Sequence, residues 1–198
     1  CALPICTGLI SIVVPAYNEE ACLDELARRL EIVFDEFRGT YDFEVILVEN
    51  GSTDATASVA ARIRERDPRW KIISLSRNFR MEGGMIAGLD HAQGDAAVIM
   101  CADLQDPPEL IPEFIRLWEQ GYENVYGVVK KREDNNLFRR AAAQTFYWLI
   151  DRLSDSPVPR NASDFRIVDR RVYETFNSLS ERNRMVRSTW GWLGFRSI

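Results

Sequence analysis

An α/β fold, with a mainly parallel, Rossmann-like sheet flanked by helices, accounts for this sequence on three observations. Short β-rich runs alternate with stretches of helical spacing as far as Val129. The longest apolar run, Ala96 to Ala102, has the length of a buried strand and not of a bilayer span. The unusual polar residues gather where the strand-like runs stop.

Leu9 to Val14 is the first strand and stops at Pro15. Glu19 to Phe37 follows with Leu23, Leu26, Leu30, Val33, Phe34 and Phe37 on one helical face. Phe43 to Val48 is the second strand, and Thr53 to Arg66 the second helix, closed by Asp67-Pro68. Trp70 to Leu75 is the third strand, Glu82 to Ala92 a helix, and Ala96 to Met100 the fourth strand after the Gly94-Asp95 turn. Pro107-Pro108 opens a helix through Gln120, because proline is tolerated in a first turn. Val125 to Val129 is a fifth strand. Strands and helices in this order imply parallel pairing through right-handed crossovers. Beyond Lys130 the pattern changes: a charged stretch to Arg140, an apolar aromatic helix from Ala141 to Leu153, a polar loop from Ser154 to Asp164, then shorter helical pieces.

The chain suits one domain, 9–198, with 1–8 taken as a processed end. Hydrophobic residues make up 46% and charged residues 28%, ordinary values for a soluble globular domain. A net charge of −5 argues against a general nucleic-acid binder. The four cysteines lack zinc-type spacing and read as reduced thiols of a cytosolic compartment. A lone histidine, His91, excludes mechanisms that need a histidine cluster and reads as a capping or packed imidazole at a helix end.

In open α/β sheets ligands bind beyond the carboxyl ends of the strands. Here those ends read Pro15-Ala16-Tyr17-Asn18-Glu19-Glu20, Glu49-Asn50-Gly51-Ser52-Thr53-Asp54, Ser76-Arg77-Asn78-Phe79 and Cys101-Ala102-Asp103-Leu104-Gln105-Asp106. Helix capping by Asn18, Thr53 and Asp106 and a turn at Gly51 would explain part of this polarity. It leaves Asp103 and Gln105, which follow a fully apolar strand, unexplained. Neither GxGxxG nor GxxxxGK[ST] follows a strand, so dinucleotide binding and P-loop hydrolysis are disfavoured. Carboxylates and amides at a strand end suit a hard divalent cation that bridges a pyrophosphate, and Asp103 and Gln105 are placed to reach one.

These segments, with Val13-Val14 before Pro15, Ala87-Gly88-Leu89-Asp90-His91-Ala92, Asp103 through Glu109, Asp164-Phe165-Arg166, Glu181-Arg182-Asn183 and Trp192-Leu193-Gly194-Phe195, resemble the inverting glycosyltransferase family 2 of GT-A fold. Within it the chain is similar to the polyprenyl-phosphate glycosyltransferases, the group of bactoprenol glucosyltransferases and dolichol-phosphate mannose synthase. The likeness runs from Leu9 to Phe195.

The resemblance implies transfer of a sugar, glucose by preference, from a UDP-sugar to a polyprenyl phosphate, undecaprenyl or dolichyl, at the cytoplasmic side of a membrane. UDP-glucose is the implied donor, with GDP-mannose open. It places Pro15, Tyr17, Glu19, Glu49 and Asn50 at the nucleoside edge, with Arg77 also on the substrate side. Asp103 and Gln105 fall at positions for Mg²⁺ or Mn²⁺ and the diphosphate. Arg132, Arg139, Asp164 and Arg166 fall on the acceptor side, with Asp103, Gln105 and Arg166 as catalytic residues. It further implies a C-terminal helical acceptor-side segment, leaves homo-oligomerisation open, and puts membrane helices of the relatives beyond the end of this chain.

Three positions depart from the family pattern. Cys101-Ala102-Asp103 stands where Asp-x-Asp is usual, Glu49-Asn50 where an acidic pair or Asn-Asp is usual, and Arg80 where glycine commonly follows Asn-Phe. A neutral thiol is a poor ligand for a hard cation. Two alternatives therefore stand beside the lipid-phosphate reading: transfer to a sugar hydroxyl, with Asp164 or Asp106 as general base, and a catalytically silent sugar-nucleotide-binding homologue.

Overall fold

The structure is a computed structural model that describes residues 8–128, 162–179 and 186–198. In chain order the elements are β1 (Gly8–Ala16), α1 (Leu23–Glu36), β2 (Tyr41–Glu49), α2 (Thr56–Arg66), β3 (Trp70–Ser74), α3 (Arg80–Leu89) and β4 (Ala96–Ile99). A 3₁₀ turn (Pro108–Leu110) leads into α4 (Ile111–Glu119), followed by β5 (Asn124–Val128), β6 (Ala162–Asp169), α5 (Arg170–Ser178) and α6 (Val186–Trp192).

The strands form a single six-stranded sheet in the order β3-β2-β1-β4-β6-β5. The β3, β2, β1 and β4 ladders are all parallel, while β6 runs antiparallel to both β4 and β5. Helices cover both faces. Ile12, Val14, Val45, Leu47 and Val98 point to one face and pack with Leu26 and Leu30 of α1, Ile63 of α2 and Ile115 of α4. Val13, Ile46, Val48 and Ile99 point to the other and pack with Met85 and Leu89 of α3, Phe176 of α5 and Trp190 of α6. Successive strand residues face opposite sides, so double coverage demands unbroken apolar runs. Truncating a fully buried leucine such as Leu30 to alanine costs roughly 2–5 kcal/mol.

The GT-A expectation of a mainly parallel sheet flanked by helices stands, with one correction to the far edge. Residues 162–169, expected as the end of a polar loop and the start of helical pieces, form β6 and separate β4 from β5. The reason lies in Arg166. It is buried at 2% exposure between Phe165 and Ile167, on the face it shares with Val168, and so breaks the continuous apolar run of a doubly covered strand. The expected charged stretch to Arg140 and the helix from Ala141 to Leu153 lie outside the described residues. His91 sits just past α3 with Nδ1 2.8 Å from the Ala87 carbonyl, a C-terminal capping position.

Candidate active site at the carboxyl edge of the sheet

Parallel strands bring the loops after β1, β2, β3 and β4 to one edge, and these loops are laced together. Asn18 Oδ1 accepts the Thr53 N–H at 2.8 Å, and the Asn18 N–H donates to Ser52 Oγ at 3.1 Å. Thr56 Oγ1 accepts the Glu19 N–H at 2.8 Å, and Glu20 Oε2 accepts the Ala55 N–H at 2.7 Å. The expected capping roles of Asn18 and Thr53 are corrected by these bonds: Ala55 precedes α2 without a side-chain cap, and both residues tie loop to loop. Asp106 likewise does not cap the 3₁₀ turn, because its Oδ2 accepts the Cys101 N–H at 2.9 Å. Gly51 adopts φ +71°, and a Cβ there would lie 2.6 Å from the backbone carbon of Arg77. Only glycine permits both that backbone and that approach.

Between these loops lies a cleft of about 370 Å³. Of the expected site residues, Pro15, Tyr17, Glu19, Asn50 and Asp103 line it. Tyr17 is 41% exposed at its lip. Asn78, Arg80 and Met81 line it as well, beside Cys101 and Ala102. Asn78 belongs to the polar end of the third strand-like run, with no role of its own assigned there, and no pattern of residue types marks Met81. The signal for Arg80 was its departure from the glycine of the family.

Other expected residues are held elsewhere. Glu49 is buried and its carboxylate accepts the Ser52 N–H, closing the loop after β2. Arg77 stacks over the Phe79 ring at 4.2 Å and does not line the cleft. Gln105 is exposed, and its backbone N–H donates to Asp103 Oδ1 at 3.1 Å. Arg166 donates from its terminal nitrogen to the Ser163 carbonyl at 2.9 Å, with the Tyr126 and Trp190 rings 5.8 and 5.6 Å from its guanidinium. It lines a separate small cavity with Tyr126, Ala162 and Trp190. Asp164, half-buried at the start of β6, acts electrostatically on Cys101 and Asp106. Arg132 and Arg139 lie outside the described residues.

The cleft floor is acidic. Burial raises the Glu19 carboxyl; a bond from the Cys22 thiol opposes the rise, and the Asp103 and Asp54 charges add to it. Burial also raises Asp106, against the bonds from Cys101 and with help from Asp103 and Asp164. The Cys101 thiol is pushed far up by burial and then by Asp106, Asp103 and Asp164, so it is neutral at physiological pH. Among the described residues no three His, Cys, Asp or Glu side chains group as a metal site. The donor set nevertheless fits a hard cation shared with a ligand. Asp103 offers one carboxylate oxygen donor in the cleft, and the surrounding negative charge favours a cation.

Residues 11–176 match the family described as Glycosyl transferase family 2. The chain belongs to glycosyltransferase family 2. The uncharacterized glycosyltransferase YkcC of Bacillus subtilis (strain 168) is 43% identical over 186 residues, covering 94% of this chain and 57% of that protein. The bactoprenol glucosyl transferase of Shigella phage SfV is 36% identical over 185 residues, covering 93% of this chain and 60% of that protein. The chain thus spans a little under two thirds of the length of these curated relatives. The mannosyltransferase PcManGT from Pyrobaculum calidifontis, solved in complex with GDP-Man and Mn²⁺, shares the fold. Its TM-score is 0.65 at 20% identity, with 98% of this chain and 55% of that one covered. In this family 2 domain the shared architecture puts the cleft at the carboxyl ends of β1, β2 and β4, where an open α/β sheet binds its ligand.

Proposed function

We propose that this domain transfers glucose from UDP-glucose to a polyprenyl phosphate at a membrane surface, with inversion at the anomeric carbon. The observation that carries the reading is the acidic cleft with Tyr17, Glu19, Asn50 and Asp103 on its walls, in a chain 36% identical to bactoprenol glucosyl transferases. Tyr17 offers an exposed aromatic face to a nucleobase at the lip. Asp103 would hold a divalent cation, Mg²⁺ or Mn²⁺, together with the donor's diphosphate. When bound, that cation offsets charge on the departing nucleoside diphosphate.

The acceptor needs no protein base. A phosphate monoester has a second pKa of about 6, so it is largely dianionic at neutral pH and can attack the anomeric carbon directly. The C1–diphosphate bond breaks as the phosphate oxygen–C1 bond forms. The protein's work is orientation and water exclusion. The acceptor side would lie at the start of β6, where Asp164 is near enough to act on Cys101, with Arg132, Arg139 and Arg166 as the cations proposed for the phosphate. Arg166, buried on β6 with its guanidinium bonded to the Ser163 carbonyl, would serve that side by positioning the start of the strand. No helix among the described residues is long and apolar enough to cross a membrane.

A second reading rests on Cys101. Its neutral thiol stands where the family carries a carboxylate, which favours a domain that binds the sugar nucleotide without transferring from it. One assay separates the two. The chain is supplied with UDP-glucose, UDP-N-acetylglucosamine or GDP-mannose, a short-chain polyprenyl phosphate, and Mg²⁺, Mn²⁺ or chelator. Labelled sugar appearing on the lipid phosphate is the expected result. Nucleotide binding with no transfer from any donor would sink the transferase reading and leave the silent one.

A further inference from the structure

We infer that Arg80 is a donor-binding residue of this site, holding the diphosphate so that nucleotide is retained without a divalent cation. This rests on the reading of the cleft as the sugar-nucleotide site. Arg80 lines that cleft with Glu19, Cys101 and Asp103. Among the described residues it is the one positively charged side chain on the cleft walls, and no ion pair or side-chain hydrogen bond of its guanidinium is present there. The other walls offer an incoming diphosphate no positive charge: Asp103 and Glu19 are acids that would repel it, and the Cys101 thiol is neutral. A guanidinium meets phosphate oxygens through paired charge-assisted bonds.

The backbone adds an independent observation. Arg80 has φ +64°, a left-handed conformation that costs a non-glycine residue about 1–2 kcal/mol. Three bonds fix it there. Asn78 Oδ1 accepts the Arg80 N–H at 2.7 Å, Asn50 Nδ2 donates to the Arg80 carbonyl at 2.8 Å, and Asn50 Oδ1 accepts the Phe79 N–H at 2.9 Å. Glycine would occupy this position without strain, so an arginine held here points to work done by its side chain. Asn50, with both ends of its amide engaged, is the residue that positions it. Set beside Cys101, the pattern is coherent: relative to the family pattern the chain has lost one carboxylate and gained one guanidinium at the same cleft.

The test is calorimetric titration of the wild-type chain, Arg80→Gly and Arg80→Lys with UDP, GDP and uridine, each in Mg²⁺ and in chelator, with thermal denaturation alongside. Wild type should bind UDP or GDP in chelator. Arg80→Gly should lose ~10- to 100-fold of that affinity, the range of a charge-assisted bond to phosphate. The loss should be smaller in Mg²⁺ and absent for uridine, and Arg80→Lys should recover part of it. The glycine variant should melt no lower than wild type, because it relieves the left-handed strain. Equal UDP and GDP affinity of wild type and Arg80→Gly in chelator would overturn the role of Arg80 alone. Wild-type failure to bind either diphosphate in Mg²⁺ or chelator would overturn the donor-cleft reading, and the inference with it.

Discussion

The side-chain amide of Asn50 is bonded at both ends to the start of α3, to the Arg80 carbonyl at 2.8 Å and to the Phe79 N–H at 2.9 Å. Asn50 itself is 2% exposed, whereas Phe79 and Arg80 are exposed residues, so the cost of losing the amide is that of the two bonds. Asn50→Ala should therefore destabilise the fold by roughly 1–3 kcal/mol, the loss of two hydrogen bonds at about 0.5–1.5 kcal/mol each. Urea denaturation measures it. In an Arg80→Gly background the same substitution should cost less, because a glycine needs no clamp to stay left-handed. A fully additive double mutant would show that the two residues are uncoupled.

Gly51 presents a different kind of constraint. Its φ of +71° and the 2.6 Å approach of an added Cβ to the Arg77 backbone leave no side chain able to move aside. Gly51→Ala should cost on the order of 2–4 kcal/mol through combined strain and overlap. For a domain of this size that corresponds to a fall in Tm of very roughly 4–16 °C. A Tm within about 1 °C of wild type would mean that the loops after β2 and β3 separate freely.

How legible the molecule was in its sequence differs by element. The strands β1, β2 and β4 declared themselves because both faces are buried, which forces continuous apolar runs such as Ile12-Val13-Val14 and Val45-Ile46-Leu47-Val48. Strand β6 did not, because Arg166 stands on its inner face and Ser163 and Asp164 on its approach. Five expected residues converge on the cleft because strand ends in a parallel sheet are collinear in space. The Gly-Ser-Thr-Asp segment was legible as a site signal but acts as lacing, and a one-dimensional pattern cannot separate a residue that holds a loop from one that faces a ligand. Arg77 and Glu49 fall under the same rule: each sits next to a cleft residue in sequence and turns away from it in space.

Cys101→Asp should recast the site's cation dependence. The new carboxylate would stand in a half-buried position beside Asp106, with Asp103 and Asp164 close enough to act on it. In chelator the variant should melt lower than wild type, since unpaired buried charge is costly. Millimolar Mn²⁺ should return much of the loss by binding the native state alone. Wild type should respond less to the same addition. Thermal scans in chelator and in Mn²⁺ measure both shifts, and an identical Mn²⁺ response in the two proteins would argue that position 101 takes no part in holding the cation.

Asp106 gives the site a pH signature. Burial raises its carboxyl above the ordinary 3.8, the bonds from Cys101 oppose that rise, and the Asp103 and Asp164 charges add to it. A carboxyl raised in the native state holds its proton more tightly folded than unfolded. Its contribution is therefore most favourable when protonated and is lost as pH rises from the unfolded value through the raised native one. Asp106→Asn removes that ionisation and leaves an oxygen to accept the Cys101 N–H. The variant should be more stable than wild type at pH 7, read as a higher urea midpoint. The advantage should vanish below about pH 4, where the wild-type carboxyl is protonated in both states. Urea titrations at pH 7 and pH 3.5 measure the difference. A gain that is equal at both pH values would trace it to packing instead of charge.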